Sequence, residues 1–138
     1  MRRILIATHG KFASGAKSTL ELLVGNVADI TCIDAYVDPE ENIIDTLENY
    51  FSKINDNDEV IVFTDIKGGS VNQKIIQYTM KTNIFLITGF NLPILLEVVI
   101  MDKKATVESL EEIIDACKNQ LELVKVEMKK ESDDDFLE

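Results

Sequence analysis

At 138 residues, with 46% apolar and 28% charged side chains, the chain has the length and composition of one soluble domain with a full hydrophobic core. Its formal charge of −11 argues against nucleic-acid binding, which draws on a basic surface. The longest apolar stretch, Phe90 to Met101, is short and interrupted by Glu97, so no membrane-spanning helix is expected. The apolar residues Ile4 to Ala7 behind Arg2 and Arg3 are too few for a secretory signal, and a cytoplasmic location is expected.

The first element is the apolar run Arg3 to Thr8, which ends in His9-Gly10. Ser14 is placed to cap a helix that runs through Val24, with Gly25-Asn26 as its stop signal. A second apolar run, Ile30 to Val37, is rich in β-branched and aromatic residues. Pro39 opens the next helix, in which Ile43, Ile44, Leu47, Tyr50, Phe51 and Ile54 recur at helical spacing. The third and fourth runs are Glu59 to Thr64 and Asn83 to Thr88, separated by a helix from Ser70 towards Lys81. Pro93 starts a fourth helix through Met101, and Thr106 to Leu121 forms a fifth, striped by Val107, Leu110, Ile113, Ile114, Cys117 and Leu121. Continuous rather than alternating hydrophobicity marks strands covered on both faces. The expected fold class is therefore α/β: a single domain with a central, mainly parallel sheet and helices on both faces. The domain is read over residues 1–130. Within it, Leu123 to Met128 alternates and is expected as an edge strand, free to pair at the sheet edge or with a second copy. Residues 131–138 form an acidic tail that repels itself and is expected to stay mobile. Cys32 and Cys117 stand far apart without a CxxC spacing, so two buried, reduced thiols are expected. A chain with one histidine is poorly supplied with zinc ligands, and no metal site and no cofactor are expected.

In open α/β sheets ligands collect outside the carboxyl ends of the strands, and the polar residues of this chain gather there. Strand one ends in Thr8-His9-Gly10, strand three in Thr64-Asp65 before Ile66-Lys67-Gly68-Gly69-Ser70, and strand four in Thr88-Gly89-Phe90-Asn91. His9 is the candidate nucleophile, since a neutral imidazole is reactive near physiological pH. A carboxylate bonded to one ring nitrogen fixes the tautomer and leaves the other nitrogen free to attack, and Asp65 is the candidate for that role. The competing reading of Asp65 is a cap on a turn or on the next helix. Gly68-Gly69-Ser70 at a helix start offers backbone N–H groups and a hydroxyl to an anion, to which Lys67 could add charge. Neither the G-x-x-x-x-G-K-[ST] loop nor the G-x-G-x-x-G fingerprint is present, so no nucleotide cradle is expected.

Three segments together, I-L-I-A-T-H-G at Ile4 to Gly10, F-T-D-I-K-G-G-S at Phe63 to Ser70 and G-F-N-L-P at Gly89 to Pro93, resemble the EIIA component of the mannose-type phosphoenolpyruvate-dependent sugar phosphotransferase system. The resemblance runs from Ile4 to about Leu121. It implies that His9 accepts a phosphoryl group from the phosphocarrier HPr, that Asp65 orients the imidazole, and that Thr64, Gly68, Gly69 and Ser70 surround the phosphoryl group. It also implies onward transfer to an EIIB domain, which serves sugar uptake through the membrane proteins EIIC and EIID. A homodimer with an exchanged C-terminal strand is implied too, and Leu123 to Met128 suits that strand. Where many relatives carry proline after G-G-S, this chain has Val71-Asn72-Gln73, and it has no fused EIIB, so the acceptor would be a separate polypeptide. The same fold serves in the phosphotransferase subunit of dihydroxyacetone kinase and in transcription regulators, and the Thr-His-Gly form favours the sugar-transport branch. A flavodoxin-like small-molecule binder is the remaining reading, and the chain lacks the aromatic-rich loop a flavin would need.

Overall fold

Four parallel strands form the centre of the molecule, seen in a computed structural model that describes residues 1–127. They are β1 (Arg2–His9), β2 (Asp29–Ala35), β3 (Glu59–Thr64) and β4 (Ile84–Thr88), in the spatial order β2-β1-β3-β4. β3 spans the residues expected from its apolar run, and the other three differ by no more than two residues at an end. The helices are α1 (Phe12–Val24), α2 (Ile43–Ser52), α3 (Ser70–Ile75), α4 (Leu92–Ile100) and α5 (Val107–Cys117), with α3 continuing as a 3₁₀ turn over Ile76–Met80.

Side-chain alternation along each strand builds two cores. Ile4 and Ile6 of β1 and Ile61 and Phe63 of β3 face α1, α4 and α5. Leu5 and Ala7, with Val60 and Val62, face α2 and α3 on the other side of the sheet. Each large side chain so buried contributes about 1.5–3 kcal/mol, which makes the two central strands the most firmly held elements. Ala13 and Ala16 are buried on α1, where their small side chains let the helix lie close to the sheet. In α2 the buried positions Ile43, Leu47 and Phe51 repeat every four residues, and Phe51 stacks on Tyr78 with ring centroids 4.0 Å apart.

Two helix starts differ from the sequence reading. Ser14 does not cap α1, which already begins at Phe12. Instead the Thr8 hydroxyl accepts from the Ala13 N–H at 2.8 Å, and the Asp34 carboxylate accepts from the Ser14 N–H at 3.0 Å. Pro39 does not open α2: residues 38–41 turn, and the Asn42 side chain caps the helix by accepting from the Ile44 N–H at 2.9 Å. α5 follows its local signals, with reciprocal bonds of 2.9 Å between Thr106 and Ser109 at its start. Leu121, expected on its stripe, lies beyond the helix and is exposed. Among the described residues the alternating run forms no edge strand: residues 121–127 pair with none of them, and Leu123, Val124 and Val126 are exposed. Met128 and the acidic segment 131–138 lie outside the described residues. Cys117 is buried, whereas Cys32 is only half-buried; both are free thiols, and burial pushes the Cys32 thiol up to about 11.

Candidate active site

The order β2-β1-β3-β4 means that the chain moves to one side after β1 and to the other after β3. Their carboxyl ends therefore diverge into a crevice, the place where this class of sheet binds ligands. His9 is the last residue of β1 and Asp65 follows β3 directly, so the topology alone brings the two together.

Asp65 holds His9 twice. Its Oδ2 accepts the His9 backbone N–H at 2.9 Å and lies 3.1 Å from ring Nδ1, with Oδ1 at 3.4 Å from the same nitrogen. Burial by itself would raise the Asp65 carboxyl. The hydrogen bonds from the His9 backbone and ring, from its own backbone N–H, and the charge of His9 outweigh that and hold it below the usual 3.8. An ionised carboxylate only accepts hydrogen bonds, so in the neutral ring Nδ1 carries the proton and Nε2 presents its lone pair on the other side. Nε2 faces the Ser70 hydroxyl at 3.3 Å. The His9 side chain keeps 40% of its surface exposed against 10% for Asp65: the imidazole is open and its carboxylate partner is shielded.

The glycine-rich turn contributes shape. Gly68 adopts φ +74°, a left-handed conformation that suits glycine and turns the chain into α3. The Gly69 N–H is bonded to the Ile66 carbonyl at 3.1 Å. A Cβ at Gly69 would stand 3.4 Å from His9 Cε1 and 3.3 Å from the Ile66 oxygen, so the bare backbone there makes room for the imidazole. The Thr64 hydroxyl is fully buried and donates to Asn72 Oδ1 at 2.8 Å, tying the first turn of α3 to the end of β3. Lys67 is exposed. From the end of β4, Asn91 does not join the imidazole: it caps α4 at the Ile94 N–H and donates to the Cys117 carbonyl, while Phe90 stacks on Phe12.

Tyr36 is the residue that sequence reasoning missed. Its ring lies 5.4 Å from that of His9, centroid to centroid, and its hydroxyl is 2.7 Å from Ser70 Oγ. The second apolar run extends through it, but β2 stops at Ala35, and Tyr36 takes φ +68°. A bulky residue in that region costs on the order of 1–3 kcal/mol. The register was the available signal: Ala35 pairs with His9, so the next residue overhangs the imidazole.

The model of the family described as the PTS system fructose IIA component (EIIA-man) matches residues 3–117. The chain belongs to that family. Solved structures of similar proteins agree. The PTS IIA protein associated with the fucose utilization operon of Streptococcus pneumoniae is 35% identical, with 88% of this chain and 92% of that one covered, at a TM-score of 0.74. A protein described as a phosphoenolpyruvate-dependent sugar phosphotransferase system permease, from Klebsiella pneumoniae subsp. pneumoniae, is 31% identical over 88% and 90% of the two chains, with a TM-score of 0.82. The mannose/sorbose specific IIA subunit from Enterococcus faecalis shares the fold at 16% identity, covering 94% and 98%, with a TM-score of 0.78. No curated protein matches the sequence. Membership in the EIIA family gives the chain a phosphotransfer role in a sugar phosphotransferase system. No helix among the described residues is long and apolar enough to cross a membrane.

Proposed function

We propose that this EIIA protein is a histidine phosphocarrier in which His9 Nε2 takes a phosphoryl group from phosphohistidine on HPr and passes it to an EIIB domain. The carrying observation is the His9–Asp65 pair, with Nδ1 bonded at 3.1 Å, Nε2 turned towards the Ser70 hydroxyl at 3.3 Å and the imidazole 40% exposed. Nε2 attacks phosphorus as the donor's P–N bond breaks, and the donor imidazole leaves with the electron pair. The phosphorylated His9 ring retains its Nδ1 proton and becomes cationic, and the Asp65 carboxylate stabilises that charge without moving. The Ser70 hydroxyl and the first N–H groups of α3, which have no acceptor within the helix, are the candidate donors to the phosphoryl oxygens. Gly68 and Gly69 give them access, and Thr64 supports them through Asn72. The reverse sequence delivers the group to EIIB, and EIIC and EIID would complete sugar uptake. HPr and EIIB place the work in the cytoplasm.

Incubation with phosphoenolpyruvate, enzyme I and HPr is expected to add one acid-labile phosphate, read by intact mass and absent from His9→Ala. A phosphate retained by that variant would overturn the site. Transfer from the charged protein to no EIIB would leave the regulatory or dihydroxyacetone-kinase-type role of the same fold.

We infer a homodimer as well, with the 123–128 segment of each copy laid along the partner's β4. Among the described residues β4 ends the sheet and has one unpaired edge, and the exposed Leu123, Val124 and Val126 need cover. Deleting residues from Leu123 onward is expected to yield a monomer by light scattering; an intact dimer removes the idea.

A further inference from the structure

Ser70 has one hydroxyl proton and two neighbours that could take it, Nε2 of His9 at 3.3 Å and the Tyr36 hydroxyl at 2.7 Å. The direction can be worked out by elimination. Nδ1 donates to the Asp65 carboxylate, so Nε2 of the neutral ring can only accept. The Ser70 O–H must then point at Nε2, which leaves Ser70 Oγ as acceptor from the Tyr36 O–H. Tyr36 thus occupies the serine lone pair and commits its proton to the imidazole. The bond also bridges the crevice, since Tyr36 comes from the end of β2 and Ser70 from the start of α3, with β1 between them. Tyr36 is the single non-glycine residue with positive φ among the described residues. Glycine would fit that backbone without strain, so the side chain is the reason for the residue.

We infer that Tyr36 is a positioning residue for phosphoryl transfer, which aims the Ser70 hydroxyl at Nε2 of the empty carrier and at a phosphoryl oxygen of the charged one. The inference rests on the carrier reading of His9. When the Nε2 lone pair enters the P–N bond, the Ser70 proton loses its acceptor. The nearest new one is an oxygen of the group just bound to that nitrogen. With its lone pair still held by Tyr36, Ser70 needs only a small swing to reach it, so the donor is in place as charge arrives.

Tyr36→Phe keeps the ring and removes the bond. Transfer from phosphorylated HPr is expected to slow roughly three- to tenfold in kcat, with KM within about twofold. In ¹⁵N NMR of the uncharged protein the Nε2 resonance is expected to move, because its hydrogen bond weakens, while the Nδ1–H signal stays. Tyr36 acts through Ser70, so Tyr36→Phe combined with Ser70→Ala is expected to be no slower than Ser70→Ala alone. Tyr36→Gly suits the left-handed backbone and folds, and it is expected to show the same loss as Tyr36→Phe. A wild-type rate with an unmoved Nε2 resonance, or losses that multiply in the double variant, would overturn the inference. Failure of the wild-type protein to accept phosphate from charged HPr would instead remove the carrier reading and with it the transfer role of Tyr36, and the Nε2 shift would then report only whether Tyr36 aims the Ser70 hydroxyl at the ring.

Discussion

Replacing Asp65 by asparagine keeps the outline of the side chain and removes its charge. With the amide oxygen at the Oδ2 position, the variant can still accept the His9 N–H at 2.9 Å and the ring Nδ1–H at 3.1 Å, so the imidazole keeps its place and tautomer. What goes is the attraction between a carboxylate and the positive charge that appears on the ring as the P–N bond forms. A hydrogen bond to a charged group contributes about 1.5–3 kcal/mol, against about 0.5–1.5 kcal/mol for a neutral one. The difference, about 1–2 kcal/mol, corresponds to a transfer rate roughly five- to thirtyfold lower. Asp65→Ala removes both acceptors and is expected to be slower again. Quench-flow measurement of acid-labile phosphate after mixing with charged HPr reads both rates. A rate for Asp65→Asn within twofold of wild type would refute the reasoning and leave Asp65 as a turn cap. Acidity offers a second reading of the same bond. Because the carboxyl is held below its usual 3.8, its contribution to stability is complete above that value and is lost as pH falls through the lowered one. Asp65→Asn has nothing to titrate there, so its urea midpoint is expected to lack that step.

Gly69→Ala is allowed by the backbone at φ −68° but sets a methyl 3.4 Å from His9 Cε1. Stability is expected to change by less than about 1 kcal/mol in denaturant titration, because backbone gain and crowding oppose each other. Transfer is nonetheless expected to slow several-fold in the same quench-flow assay, and an unchanged rate would show that the ring has room to give. Thr64→Val leaves Asn72 Oδ1 buried without its 2.8 Å donor. A loss of about 1–3 kcal/mol is expected in urea unfolding, and full stability would mean that water or a shift of Asn72 replaces the bond.

The parts of this molecule that could be read from its sequence are those in which local pattern and tertiary outcome agree. β3 is an unbroken apolar run, buried on both faces, and its ends fall where the run ends. The His9–Asp65 pair follows from two strand ends and from the rule that parallel strands diverge at a switch in order, so both residues were nameable before any coordinates. α5 carries its own start signal in Thr106 and Ser109. Pro39 misled because proline suits a helical first turn and an ordinary turn equally, and Asn42 held the stronger cap. The 123–128 run alternates like a strand, but a strand needs a neighbouring edge, and residues 123–127 lie along none among the described residues. Tyr36 was hidden for a different reason. Nothing in the local sequence announces a left-handed tyrosine, and its purpose is visible only once β1, β2 and α3 stand side by side.

α1 has no beginning of its own. Its first free N–H groups are closed by Thr8, from the strand that ends in His9, and by Asp34, from the strand that ends beside Tyr36. Both acceptors are in place only where β1 and β2 are paired, so the start of the helix depends on that pairing. The converse also holds: fraying of its first turn releases side chains from the same two strand ends that frame the imidazole. Opening at the site and unwinding of the first turn of α1 are therefore expected to be coupled, which amide exchange at Ala13 and Ser14 would measure.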